Sequence, residues 1–183
     1  TRDELVAIRR SGIDDASLST AATELVETAS GGPITSDEAA AYADRALTVL
    51  RDLAVARNPV LRVSDAVTLL IEVLDEREGT TALRIADVLT YVNNPAAQQA
   101  LMDRAMETGD GAFRLAMLEK VADSGKRFGN LLDERQVRRL VRYATDEDET
   151  LATQAAATMG SLDIPSRTLV PMMLDEANAA ARR

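Results

Sequence analysis

The chain has 183 residues, 46% hydrophobic and 28% charged, which is globular in composition and long enough for one domain with a buried core. Its net charge of −9 argues against nucleic acid, whose binding relies on phosphate neutralisation, and against an anionic membrane surface. Cysteine, histidine and tryptophan are absent, which removes disulfides, the usual soft metal ligands, the commonest general base and broad stacking platforms.

No apolar run approaches the ~18 residues that cross a bilayer. The chain opens on Thr1, without a charged-then-apolar leader. It reads as soluble, with the cytoplasm slightly favoured over a secreted or periplasmic setting. Lysine occurs only at positions 120 and 126 while Arg and Ala abound, the mark of a GC-rich coding sequence and a hint of a bacterial source.

Strong helix formers dominate and strand-type alternation is missing, so the pattern predicts ten helices. The first covers about residues 2–10. The second, about 15–30, carries Leu18, Ala22, Leu25 and Ala29 on one face and stops at Gly31-Gly32-Pro33. The third opens on a capping box of Thr35 and Glu38 and stacks Tyr42, Ala46, Val49 and Leu53 before Asn58-Pro59. The fourth, about 64–77, turns Val67, Leu70, Ile71 and Leu74 inward.

The fifth, about 80–92, presents Ile85, Leu89 and Val92. Asn94-Pro95 supplies a cap and a first-turn proline to the sixth, about 95–107, which buries Ala97, Leu101 and Ala105. The seventh, about 112–124, uses Phe113, Met117, Leu118 and Val121, and a loop over 125–132 comes next, pinned to the core by Phe128. The eighth opens on Asp133, with Gln136 three residues on, and faces inward through Val137, Leu140, Val141 and Ala144. The ninth, about 149–161, shows Ala152, Ala155, Ala156 and Met159. The tenth begins near Thr168, with Pro171 in its first turn and Leu169, Met172, Met173 and Ala177 on its apolar face.

Short turns between such helices make neighbours antiparallel. Leu83-Arg84-Ile85-Ala86, Phe113-Arg114-Leu115-Ala116 and Leu151-Ala152-Thr153-Gln154-Ala155 each open a helix with a large apolar residue and place a small one after it. Residues 81–107, 112–145 and 150–181 thereby resemble HEAT repeats, most closely where Gly160 ends one helix and Pro171 falls early in the next. The resemblance implies an all-α, HEAT-like solenoid of about five antiparallel helix pairs. It would form a single domain over 1–183, with an N-terminal pair at 1–34 and repeats at 35–77, 80–109, 110–146 and 147–183. It also implies that the second helix of each pair lines a concave groove.

On the eighth helix Arg135, Arg138, Arg139 and Arg142 share one face, opposite the apolar one, and Lys126 and Arg127 precede them. Such a patch suits an acidic peptide or a phosphate-bearing partner. The plainer expectation is pairing within the chain, with Asp133, Glu134 and the run Asp146-Glu147-Asp148-Glu149. That run fails as a calcium loop, since the sixth and twelfth places hold Leu151 and Ala157. The six methionines, Met102 to Met173, read as core filler more readily than as a soft groove.

No catalytic constellation, metal cluster or cofactor loop is visible. The sequence therefore points to a non-enzymatic interaction scaffold for a protein or peptide partner, with no cofactor. The alternatives are a helical-repeat enzyme or lyase, and a structural module within a longer chain.

Overall fold

Helix boundaries follow the capping chemistry written in the chain. The computed structural model describes residues 36–57 and 60–180. The expected helices at 2–10 and 15–30, the Thr35 cap and the Asn58-Pro59 break lie outside the described residues. Within them every regular element is helical, and no strand occurs.

Helix α1 is Ser36–Val55, and after it a 3-10 turn, Val63–Ala66, leads directly into α2, Val67–Glu76. Then come α3, Gly79–Leu89, α4, Pro95–Glu107, α5, Gly111–Phe128, and α6, Glu134–Tyr143. The last two are α7, Glu149–Ser161, and α8, Ser166–Ala180. The chain divides into two compact units, residues 1–44 and 45–183; helices α2 to α8, with α1 from Arg45 onward, belong to the second.

Side-chain caps open four of these helices. Asn94 Oδ1 accepts from the Ala96 N–H at 2.8 Å with Pro95 next to it. Asp110 accepts from Ala112 and Phe113, and Asp148 from Thr150 and Leu151. Asp133 and Gln136, three residues apart, form a reciprocal box: the Gln136 N–H donates to Asp133 Oδ1 at 2.7 Å and the Asp133 N–H to Gln136 Oε1 at 3.2 Å.

The core gathers the residues whose spacing marked them. Leu74, Ile85, Leu89, Leu101, Met117, Leu118 and Leu140 are fully buried, with Val67, Leu70, Val121, Val137 and Val141 beside them. Packing joins helices one or two places apart. Along one set α2 touches α4, α4 touches α6 and α6 touches α8; along the other α3 touches α5 and α5 touches α7. Between the sets α2 meets α3, α3 meets α4, α4 meets α5 and α6 meets α7.

Six local expectations are corrected. On α1 the inward face is Leu47, Leu50, Leu53 and Ala54, whereas Tyr42, Ala46 and Val49 are exposed; only Leu53 keeps its expected place. Helix α5 continues through Gly125 to Phe128, so the loop over 125–132 shrinks. The terminating glycine is Gly129, at φ 73°, whose N–H donates to the Gly125 carbonyl at 2.8 Å. Phe128 is half-buried on a surface cleft and does not belong to the core cluster.

Pro171 lies beyond the first turn of α8, because that helix starts at Ser166. The Thr168 and Leu169 N–H groups donate to the Pro165 carbonyl, which sets that earlier start. On α7 Ala155 is buried but Ala156 is exposed, and on α8 Met172 is buried while Met173 is exposed. Met102 and Met117 are fully buried, as core filler should be.

Candidate functional site

Helix α6 is strongly two-faced. Val137, Leu140, Val141 and Tyr143 are buried on one side, which sends the interleaved arginines to the other. Glu134, Arg135, Arg138, Arg139 and Arg142 line an open depression of about 350 Å³. Each arginine is engaged. Arg135 Nη2 donates to Asp103 of α4 at 2.7 Å. Arg138 donates to Glu134 at 2.7 Å and lies 3.8 Å from Asp175 of α8. The Arg139 guanidinium sits 5.0 Å from the centre of the Tyr143 ring, and Arg142 also makes an interaction. These ties show that the arginine face runs between α4 and α8. Of the acidic residues expected to neutralise it, Glu134 does so, while Asp148 caps α7 and Asp146 accepts from the Asp148 N–H.

Lys126 and Arg127 do not join the α6 arginines in that depression. Both sit in the last turn of α5, where cations suit the helix dipole. Lys126 pairs with Asp123 at 2.9 Å. Arg127 lies over the Tyr91 ring, 4.3 Å from its centre, in a separate cleft of about 440 Å³. Arg57, Arg62 and Phe128 line that cleft too, over a floor that includes Leu53, Val63 and Val92.

Arg57 stands in the left-handed region at φ 49°, just past the end of α1, its N–H donating to the Ala54 carbonyl at 3.1 Å. A side chain there costs about 1–2 kcal/mol that glycine would avoid. A cation at a helix C-terminus returns about 0.3–1 kcal/mol. The dipole alone therefore does not account for an arginine at this position.

Three arrangements have no counterpart among the sequence expectations. In the first, Asp87 on α3 receives Arg51 from α1 and Lys120 from α5, the latter at 2.7 Å. Burial pushes the Asp87 carboxyl up, but the hydrogen bonds and charges of Lys120 and Arg51 outweigh burial and hold it below the ordinary carboxylate range. No local spacing joins these three residues, so nothing in the sequence announced them.

The other two centre on glutamines. Gln98 is fully buried and fully used. Its Nε2 donates to Ser124 Oγ at 3.0 Å and to the Gly129 carbonyl at 3.1 Å, and its Oε1 accepts from the Leu131 N–H at 2.8 Å. Gln136 likewise donates to the Gln99 carbonyl at 3.0 Å. Both glutamines did carry a signal. Gln98 precedes Leu101, Met102 and Ala105 at the spacing of one helix face, and Gln136 precedes Leu140 and Tyr143 in the same way.

Among the described residues no group of His, Cys, Asp or Glu is placed to hold a metal ion, and no helix is long and apolar enough to cross a membrane. No family model, curated protein or solved structure matches the chain.

Proposed function

We propose that residues 45–183 form an open, two-layer stack of HEAT-like helix pairs. In this reading the stack acts without catalysis, as a scaffold that holds an acidic protein segment against α6. The observation that carries the reading is the packing order: among the described residues, helices α2 to α8 touch only neighbours one or two places along. A closed bundle brings its first and last helices together, whereas a stack separates them and leaves a long layer surface for a partner. The layer of α2, α4, α6 and α8 is that surface here.

Charge divides the surface. Helix α6 offers arginines, whose planar forks suit carboxylates. The groove between α2 and α4, about 300 Å³, is lined by Ile71, Asp75, Asp103 and Glu107 and has the opposite sign. A segment crossing from α6 to α2 would be acidic at one end and basic at the other.

The test is a library of acidic peptides titrated against the chain and against its Arg138→Ala/Arg142→Ala variant. The expected result is a peptide whose binding weakens by at least ~2 kcal/mol in the variant, the usual effect of removing hot-spot residues. If every acidic peptide binds both proteins equally, or none binds tighter than about millimolar (~−4 kcal/mol), the reading fails.

A further inference from the structure

We propose that the cleft at the ends of α1, α3 and α5 binds a small organic phosphate, a phosphoryl group carried on an apolar or aromatic body. Its guanidinium groups belong to Arg57, Arg62 and Arg127, none of them on α6, so the site is independent of the scaffold surface. At about 440 Å³ the cleft falls in the usual size range of small-ligand sites.

The three arginines are held in different ways. Arg127 lies over the Tyr91 ring, 4.3 Å from its centre, a cation–π contact that holds the guanidinium without taking up a hydrogen bond. Arg62 is steadied by Asp65 at 3.2 Å. Arg57 rests on a left-handed backbone, a strain the helix dipole does not repay. Among the described residues no carboxylate lies within ion-pair distance of Arg57 or Arg127, in a chain that carries thirty Asp and Glu residues. Two of the three cations therefore lack an anion among the described residues.

A phosphoryl group fits this set better than a carboxylate. It offers three charged oxygens to three forks, where a carboxylate offers two. The apolar wall of Leu53, Val63, Val92 and Phe128 has no use for a bare ion and calls for an apolar body beside the charge.

Isothermal titration of the chain with phenyl phosphate, inorganic phosphate and benzoate tests this. Phenyl phosphate should bind saturably, and the other two roughly tenfold more weakly or less, one lacking the apolar body and the other the third oxygen. Arg57→Gly should melt no lower than the parent, because glycine adopts the left-handed backbone freely, yet bind phenyl phosphate roughly tenfold more weakly. Arg62→Ala, at an exposed position, should show a similar drop, while Arg138→Ala/Arg142→Ala should bind phenyl phosphate as the parent does. The proposal is overturned by any of four results: no saturable binding of phenyl phosphate, equal binding of inorganic phosphate or benzoate, undiminished binding in a folded Arg57→Gly or Arg62→Ala variant, or a loss confined to the α6 variant.

Discussion

Gly125 of α5 lies so close to Leu162, just past α7, that a Cβ on the glycine would sit 2.9 Å from Leu162 Cδ2 and 2.9 Å from the Ser161 carbonyl oxygen. The leucine tip could shift, but the Ser161 backbone could not without moving α7. Gly125→Ala should therefore destabilise the chain by about 1–3 kcal/mol, despite alanine's better helix propensity. Gly160→Ala makes the contrast, because nothing lies within 4 Å of its added methyl; that variant should be neutral or gain up to about 1 kcal/mol. Urea unfolding of both variants checks the pair, and equal behaviour would mean the α5–α7 approach is looser than the structure has it.

Gln98→Leu should be among the most damaging single changes. Leucine matches the volume, but it strands the Leu131 N–H and the Gly129 carbonyl in the turn before α6 and removes the partner of buried Ser124. Each stranded buried group costs about 1–3 kcal/mol, so a loss of at least ~2 kcal/mol is expected. Gln98→Glu keeps the shape but sets a carboxylate against the Gly129 carbonyl in a fully buried place, so at neutral pH it should be no more stable than the leucine variant. Denaturant midpoints rank the three.

How far the sequence carried the fold depends on where its signals were local. Caps and spacings are local, so Asn94, Asp133 with Gln136, and the faces of α2 to α6 were legible residue by residue. Helix α1 departs from expectation because its apolar residues admit two faces. Tyr42, Ala46, Val49 and Leu53 fit one and Leu47, Leu50 and Leu53 the other, and only tertiary packing chooses between them. Gly125 misled for a related reason. A glycine after a helical run signals a stop, and only the approach of Leu162 reveals that this one is a contact. The arginine face of α6 was legible from its period, but its ties to Asp103 and Asp175 were not, since they cross between helices distant in sequence. The same holds for the cleft around Arg57, Arg62 and Arg127, which joins three segments.

Small residues on α7 are not equivalent. Ala155 is fully buried, whereas Ala156 next to it is exposed. Ala155→Leu should cost about 1–3 kcal/mol by overpacking, and Ala156→Leu should stay within about 0.5 kcal/mol of the parent. If both leucines are tolerated alike in urea, α7 turns a different side to the core.

Asp87 predicts a pH dependence. Its folded carboxyl is held below the ordinary 3.8, so between the folded and unfolded values the unfolded chain binds more protons. Its contribution to stability is present above the unfolded value and is lost as pH falls through the folded one. Asp87→Asn should be less stable than the parent near neutral pH by about 1–3 kcal/mol, since Lys120 and Arg51 lose their common anion. The two proteins should converge in acid, once the parent's carboxyl is protonated. Thermal melts at neutral pH and well below pH ~4 decide the matter, because a gap that persists unchanged in acid would exclude the ion pairs as its source.

The arginine face of α6 can serve a partner only if its internal ties are cheap to exchange. Arg135 reaches Asp103 at 2.7 Å, which is good geometry, but its side chain is 69% exposed and that of Asp103 36%. Water and salt screen such a pair, and ordering two long side chains takes back most of what the contact gives. A double-mutant cycle of Arg135→Ala and Asp103→Ala should therefore return a coupling of about 0.2–1 kcal/mol, shrinking as salt is added. Arg138 with Glu134, one turn apart on the same helix, should give about 0.3–0.5 kcal/mol. Ties this weak keep the guanidinium groups spread across α4, α6 and α8 yet yield to a partner's carboxylates at little cost. A coupling well above ~1.5 kcal/mol that resists salt would describe a different object. In that case the arginines would be a clasp holding α4, α6 and α8 together, and the acidic segment assigned to them would have nowhere to bind.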